Sequence, residues 1–223
     1  MTKLYGLMVI KNESSRYLHA ALTHASSYLD HIIIFDDQSD DDSATVANEF
    51  GDVVIRPDSV SSFIENESEF RQNAWSVFED ACSPTSDDWI LAIDADEFLI
   101  GNNIRDTLIG YASKLEMGLT LRIPELWNLD PALIRIDGYW DSNCSSRYFR
   151  YMPGGTFAER RMGSAAFPTY VRSNLIADDL EILHVGYVDE DDRTIKYNRY
   201  SSITEGHSSR HIQSIIELSL IHI

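Results

Sequence analysis

The sequence predicts an α/β fold in which a parallel sheet carries helices on both faces. Three observations point there. Short apolar runs alternate with helical patterns through the first half of the chain. Two of those runs, Ile32 to Phe35 and Trp89 to Ile93, are apolar at every position, as strands buried on both faces are. Three runs end in a polar cluster: Lys11-Asn12-Glu13, Asp36-Asp37-Gln38-Ser39-Asp40 and Asp94-Ala95-Asp96-Glu97.

Taken in order, Leu4 to Ile10 reads as the first strand. Ser14 to Leu29 has helical spacing through Tyr17, Leu18, Ala21, Leu22 and Ala25. Ile32 to Phe35 is the next strand, Ser43 to Phe50 a helix and Asp52 to Ile55 a strand. Phe63 to Ala81 places Phe70, Ala74, Val77 and Phe78 on one helical face, and Ser83-Pro84 ends it. Trp89 to Ile93 follows as a strand and Asn103 to Leu115 as a helix. The pattern then changes. Gly118 to Ile123, Ile134 to Ile136 and Arg147 to Tyr151 read as strands, with Trp127, Tyr139, Trp140, Tyr148 and Phe149 interleaved with Arg147 and Arg150. Ile182 to Val185 is a further short strand, and the chain from Thr194 onward reads as helix.

The 223 residues, 43% of them hydrophobic, fit one domain with a sizeable core. Its expected parts are residues 1–117, 118–188 and a helical extension over 189–223. With 36 acidic against 18 basic residues the net charge is −18, which disfavours nonspecific nucleic-acid binding. Cys82 and Cys144 make neither a disulfide framework nor a four-thiolate zinc site, so a reducing cytoplasmic location is the default. Lys11 follows the first apolar run, which therefore lacks the layout of a signal peptide. No stretch approaches the roughly 18 apolar residues of a membrane span. The amphipathic tail Ile212 to Ile223 is expected to dock on the domain, on a second copy as a homo-oligomer contact, or on a membrane surface.

In parallel sheets ligands bind beyond the carboxyl ends of the strands, where the polar clusters fall. Carboxylates crowded at one strand end repel one another, so a counter-ion is expected beside Asp94, Asp96 and Glu97. Mg²⁺ or Mn²⁺ suits such oxygen ligands and stays partly hydrated while bridging phosphates. A bare Asp-x-Asp is weak evidence in an acidic chain, and a solvated, helix-capping turn is the plain alternative.

The three clusters, in this order, resemble the family 2-like glycosyltransferases of the GT-A fold. Met8-Val-Ile-Lys-Asn12-Glu13 looks like that family's opening strand, Ile32-Ile-Ile-Phe-Asp36-Asp37-Gln38-Ser39-Asp40-Asp41 its second-strand motif, and Asp94-Ala-Asp96-Glu97-Phe98 its Asp-x-Asp motif. The likeness is good from Met1 to about Ile123 and thins to Arg147-Tyr-Phe-Arg150, His184-Val-Gly-Tyr187 and Lys196 to Tyr200. It implies a GT-A, Rossmann-like sandwich with a mixed central sheet and C-terminal helices. The polar ends would face a nucleoside-diphosphate sugar, UDP-linked by preference, with Mn²⁺ or Mg²⁺. By this resemblance Asn12 lies against the nucleotide, Lys11 reaches it, and Asp37 contacts the base with Asp36 beside it. Arg71 either approaches base and diphosphate or balances Glu67 and Glu69. Asp94 faces the ribose or a metal-bound water, Asp96 binds the metal, and His184 completes the metal site.

Lys196 and Arg199 lie three apart on one helical face, to hold the diphosphate or to meet solvent. The aromatic stretch after Gly118 is either an acceptor-binding region or the core of a mixed sheet. An inverting transfer needs a carboxylate to deprotonate the acceptor hydroxyl. Glu125, after a strand and among aromatics, is the candidate, with Asp137, Asp141 and Glu159 as rivals. The chain departs from the family in lacking a clear acidic pair downstream, which leaves the stereochemistry open. The sequence thus predicts metal-dependent transfer of a glycosyl group to a hydroxyl acceptor. The alternatives are a phosphatase of the haloacid dehalogenase type and a non-catalytic sugar-nucleotide-binding module.

Overall fold

A computed structural model describes residues 2–115, 117–137, 140–141, 143–160, 164–172, 175–201 and 209–215. Tyr139 and the tail beyond Ile215 lie outside the described residues, as does the side chain of Arg199. The elements run β1 (Leu4–Ile10), α1 (Leu18–Ala25), β2 (His31–Asp36), α2 (Ser43–Ala47), β3 (Asp52–Ile55), α3 (Glu67–Cys82), β4 (Trp89–Ala92) and β5 (Glu97–Gly101). They continue as α4 (Ile104–Ala112), β6 (Gly118–Arg122), β7 (Glu125–Leu129), β8 (Ala132–Arg135), β9 (Cys144–Arg150), β10 (Ile176–His184), α5 (Glu190–Ser201) and α6 (Ser209–Ser214).

One sheet runs in the order β3-β2-β1-β4-β9-β6-β10-β7-β8, with β5 paired to β10 off this path. The first four strands are parallel. β9 inserts antiparallel between β4 and β6, so the sheet is mixed. Period-two alternation splits the core between its faces. Leu4, Met8 and Ile10 of β1 pack with Leu18 and Leu22 of α1 on one side. Tyr5 packs with Phe70, Trp75 and Phe78 of α3 on the other.

The expected helices form, trimmed at their ends for local reasons. Residues before Leu18 are diverted, because Glu13 N–H donates to Ser43 Oγ at 2.7 Å and Ser14 N–H to Asp41 at 3.1 Å. At the other end Ser26 and Ser27 hydroxyls donate to the carbonyls of Thr23 and His24, competing with continued helix. α3 starts late because Asn66 caps it, accepting from Glu69 N–H. α5 starts at Glu190, earlier than the sequence suggests, since Glu190, Asp191 and Asp192 suit the positive end of a helix. β5 and β7 were not foreseen: one follows the acidic turn at once, and the other is short and bounded by Pro124 and Pro131. α6 docks on its own chain, with Ile215 buried against Trp127, Trp140 and Tyr187. Among the described residues no helix is long and apolar enough to cross a membrane.

Candidate active site

The loops after β1 and β2 shape one end of a cavity of about 510 Å³. Asn12 and Gln38 both adopt left-handed backbone, at φ 55° and 57°. Asn12 is held there by its side-chain Oδ1, which accepts from Asp40 N–H at 2.8 Å, and by Ser39 Oγ, which accepts from the Asn12 N–H. Asp36 accepts from Ser39 N–H and hydroxyl at 2.9 and 2.6 Å. Both side chains are thus spent on the loop, and neither lines the cavity, in contrast to the sequence expectation. Asp37 does line it. Its carboxylate is gripped by Arg56 Nε and by Phe63 N–H at 3.1 Å. Lys11 also lines the cavity, with Nζ donating to the carbonyls of Asp37 and Gln38 at 2.7 and 2.5 Å. Arg71 does not: it pairs with Glu67 at 2.8 Å, stacks over Phe63 and borders a separate small hollow. The helix-internal pairing is the simpler of its two sequence readings.

The acidic turn after β4 forms the middle. Asp94 is 46% exposed and faces Arg147 at 3.6 Å. Glu97 is buried and accepts from Arg147 at 2.7 Å and from Asp94 N–H at 2.9 Å. Burial pushes its carboxyl up to about 7, against the opposing pull of Arg147.

Sheet register assembles the far end. His184 closes β10 opposite Glu97 of β5 on one side and Glu125 of β7 on the other. His184 Nδ1 bonds Glu125, whose other oxygen accepts from Asn143 at 3.0 Å. His184 Nε2 lies 3.3 Å from Asp96 Oδ2. Lys196 Nζ completes a triangle, 3.0 Å from that oxygen and 3.1 Å from that nitrogen. Gly186 gives them room, because a Cβ there would fall on Asp96 Oδ2 and Lys196 Nζ. Burial disfavours each charge, but the opposite partners win. Lys196 and His184 hold the Asp96 carboxyl well below the usual range, and Glu125 with Asp96 pushes His184 up to about 10. α5, which carries Lys196, is tied down by Asp192, which accepts from Arg16 at 3.0 Å and from Tyr17 at 3.3 Å. Arg16 also pairs with Glu13 at 2.7 Å and reaches within 3.9 Å of Asp96.

The structure therefore brings Lys11, Asp37, Asp94, Asp96, Glu125, His184 and Lys196 to one cavity. Glu125 has both oxygens engaged, by His184 and Asn143, which suits orienting an imidazole better than receiving a proton. Of its rivals, Asp137 is bound to Arg135, Glu159 borders a different surface hollow, and Asp141 does not line the cavity. Sequence reasoning missed Arg16 and Arg56 as site residues. Glu97 and Arg147 carried a signal, one in the acidic cluster and the other in the Arg147-Tyr-Phe-Arg150 stretch, but neither was given a role.

Asp96 and His184, once the imidazole gives up its Nε2 proton, offer one hard oxygen and one imidazole nitrogen, a donor pair suited to Mn²⁺ or Mg²⁺. Among the described residues no three His, Cys, Asp or Glu are grouped to cage an ion. A phosphate-bridging ion keeps several waters, so two protein ligands fit it, provided Lys196 yields its place.

No family model matches the sequence, and no curated protein matches it. Solved structures do. S. aureus TarS 1-349 is similar with a TM-score of 0.50 at 14% identity, over 96% of this chain and 69% of that one. Glucosyl-3-phosphoglycerate synthase from Mycobacterium tuberculosis aligns with a TM-score of 0.36 at 17% identity, over 56% of this chain and 44% of that one. Mannosyl-3-phosphoglycerate synthase from Rubrobacter xylanophilus aligns with a TM-score of 0.40 at 15% identity, over 58% and 41%. This chain thus spans less than half the length of either synthase structure. Its fold is GT-A-like, with a mixed central sheet.

Proposed function

We propose that the chain is a glycosyltransferase that moves a sugar from a nucleoside-diphosphate sugar, UDP-linked by preference, to a hydroxyl acceptor with the help of Mn²⁺ or Mg²⁺. The observation that carries this reading is the convergence of Asp37, Asp94, Asp96 and His184 on one cavity lined also by Lys11, Arg16, Arg147 and Lys196. Acidic groups at two strand ends suit a base, a ribose and a metal. The cations between them suit a diphosphate.

In this reading the base lies against Phe63 and Ile64 beside Asp37, whose fixed carboxylate accepts from it. Asp94, the most exposed of the acidic turn, meets the ribose. Asp96 and His184 would hold the ion, which when bound neutralises charge on the diphosphate. In the transfer, the bond from the anomeric carbon to the diphosphate oxygen breaks, its electron pair leaves on that oxygen, and the acceptor oxygen takes its place as its proton passes to the departing diphosphate. Lys196, Arg16 and Arg147 are positioned to stabilise the departing charge, which is worth most in a shielded site. Glu125 fixes the tautomer and aim of His184. The unpaired Cys82 and Cys144 agree with a reducing, cytoplasmic setting.

The test is release of nucleoside diphosphate from a panel of UDP- and GDP-sugars with Mn²⁺. Asp96→Ala is expected to lower turnover by about a hundredfold or more, since even partners behind a metal ligand are worth 10–100-fold. Full activity in that variant would sink the assignment. Phosphate release from a monoester would favour a phosphatase instead, and binding of the nucleotide sugar with no release a binding module.

A further inference from the structure

The Lys196 ammonium sits where the ion is assigned. Its Nζ lies 3.0 Å from Asp96 Oδ2 and 3.1 Å from His184 Nε2, and these two atoms are 3.3 Å apart. A divalent ion held by both would stand about 2.0–2.2 Å from each, within the wedge that Nζ already fills. Ion and ammonium cannot share it.

The arrangement is built rather than incidental. Gly186 has no side chain just where one would displace both the ammonium and the Asp96 carboxylate. Lys196 packs over the Tyr187 ring at 4.4 Å and is largely shielded from solvent. Its helix is pinned through Asp192 to Arg16 and Tyr17, and through Arg193 to the carbonyls of Tyr187 and Val188. The backbone is therefore fixed, while the four-carbon stem of a lysine can re-aim its head. The open cavity lies beside it.

We propose that Lys196 is a tethered cation that occupies the Asp96–His184 pair until a nucleoside diphosphate arrives, so that divalent ion and nucleotide bind in concert. A lone ion must displace the ammonium from the Asp96 carboxylate and offers it no other anion in exchange. A phosphate group gives the ammonium a new anionic partner and supplies the ion with further oxygens. Coupling of this kind is reciprocal: the nucleotide tightens the ion as much as the ion tightens the nucleotide. The inference rests on the reading of Asp96 and His184 as the metal pair.

The experiment measures free Mn²⁺ by electron paramagnetic resonance in titrations of the full chain, with and without UDP. Wild type is expected to bind Mn²⁺ weakly alone, and about tenfold or more tightly with saturating UDP. Lys196→Met is expected to bind Mn²⁺ alone about tenfold more tightly than wild type does, with most of the coupling to UDP gone. Equal Mn²⁺ affinity with and without UDP in wild type overturns the proposal, and needs no variant to fold. So does a folded Lys196→Met protein whose lone-ion affinity is unchanged. Asp96→Asn separates the two readings. If it abolishes Mn²⁺ binding in the presence of UDP while Lys196→Met leaves coupling intact, the metal pair stands and the tethered cation fails. If Asp96→Asn leaves Mn²⁺ binding untouched, the metal pair itself is wrong.

Discussion

The two ends of the cavity hold their key carboxylates in different ways. Asp37 is fixed by Arg56 and by the Phe63 amide, groups that come from the loops just after the next strand. Nothing that binds there has to displace a partner for Asp37 to keep its shape. Asp96 instead faces His184 and Lys196, whose positions lie 88 and 100 residues away, and its principal partner is the Lys196 ammonium. In the proposed reading one end receives a neutral base and the other exchanges one cation for another. A rigid end gives selectivity without reorganisation, whereas an exchangeable end lets ligand binding be conditional.

Gly186→Ala should break this contrast most severely. The new methyl would fall on Asp96 Oδ2 and Lys196 Nζ and lie 2.8 Å from His184 Nε2, so all three groups of the triangle must shift at once. A displacement of this order at a reacting centre costs about a hundredfold in kcat/KM. Binding of Mn²⁺ with UDP should fall with it, while binding of uridine alone, which in this reading meets Asp37 and Asp94 but not the Asp96–His184–Lys196 triangle, should hold. Calorimetry with both ligands checks this. Loss of uridine binding as well would mean that the two ends are not separable.

Arg56→Ala attacks the fixed end. It leaves Asp37 buried with only the Phe63 amide, and it removes the bonds of Arg56 to Val60 and Gln38. Breaking one side of a buried pair typically costs about 3–5 kcal/mol. Phe63 still satisfies one carboxylate oxygen, so urea unfolding should show a loss near the lower bound, about 3 kcal/mol. Mn²⁺ affinity should change little. A loss below about 1 kcal/mol would indicate that Asp37 is solvated and behaves as a surface pair.

The same contrast explains what could be read from the sequence. The fixed end is local: a buried strand, a polar terminus and a partner one strand further on, each visible as a pattern. That is why β1 to β4, Lys11 and Asp37 could be read from the sequence; Asp94 and Asp96 could be read for the same reason, as the polar terminus of a buried strand, although their partners could not. Asp36 and Asn12 belong to the same motifs, yet their side chains turn back to build the loop. A motif names a position and not the direction its side chain takes. The exchange end is set by sheet register. His184 meets Glu125 and Glu97 only because β10 pairs with β7 and β5, and neither of those partner strands announced itself. Glu125 was read as a base, and nothing in a sequence shows that a histidine 59 residues later will take its carboxylate. Arg16 and Asp192, joined across 176 residues, left no trace at all.

The smallest expected effect is the pH response of the tie between the β1 and β2 loops. Asp41 accepts from Ser43 N–H and hydroxyl on one oxygen and from Ser14 N–H and hydroxyl on the other. The slight burial of the group works against its charge, but these bonds outweigh it and lower the carboxyl from 3.8 to about 2. A carboxyl lowered in the folded state stabilises the fold above its unfolded value and loses that contribution as it protonates. The tie is therefore complete above 3.8 and fades as pH falls through about 2. Because Asp41 is exposed, solvent screening limits the contribution to no more than about 1 kcal/mol. Thermal melts of wild type and Asp41→Asn across this window should show a shallower acid limb in the variant. Uridine affinity at neutral pH should weaken only slightly, because Asp37 keeps its own partners. Identical acid limbs would show that the loops are held by the remaining bonds of Asn12, Ser39 and Asp36, and that the fixed end owes its rigidity to the backbone rather than to this carboxylate.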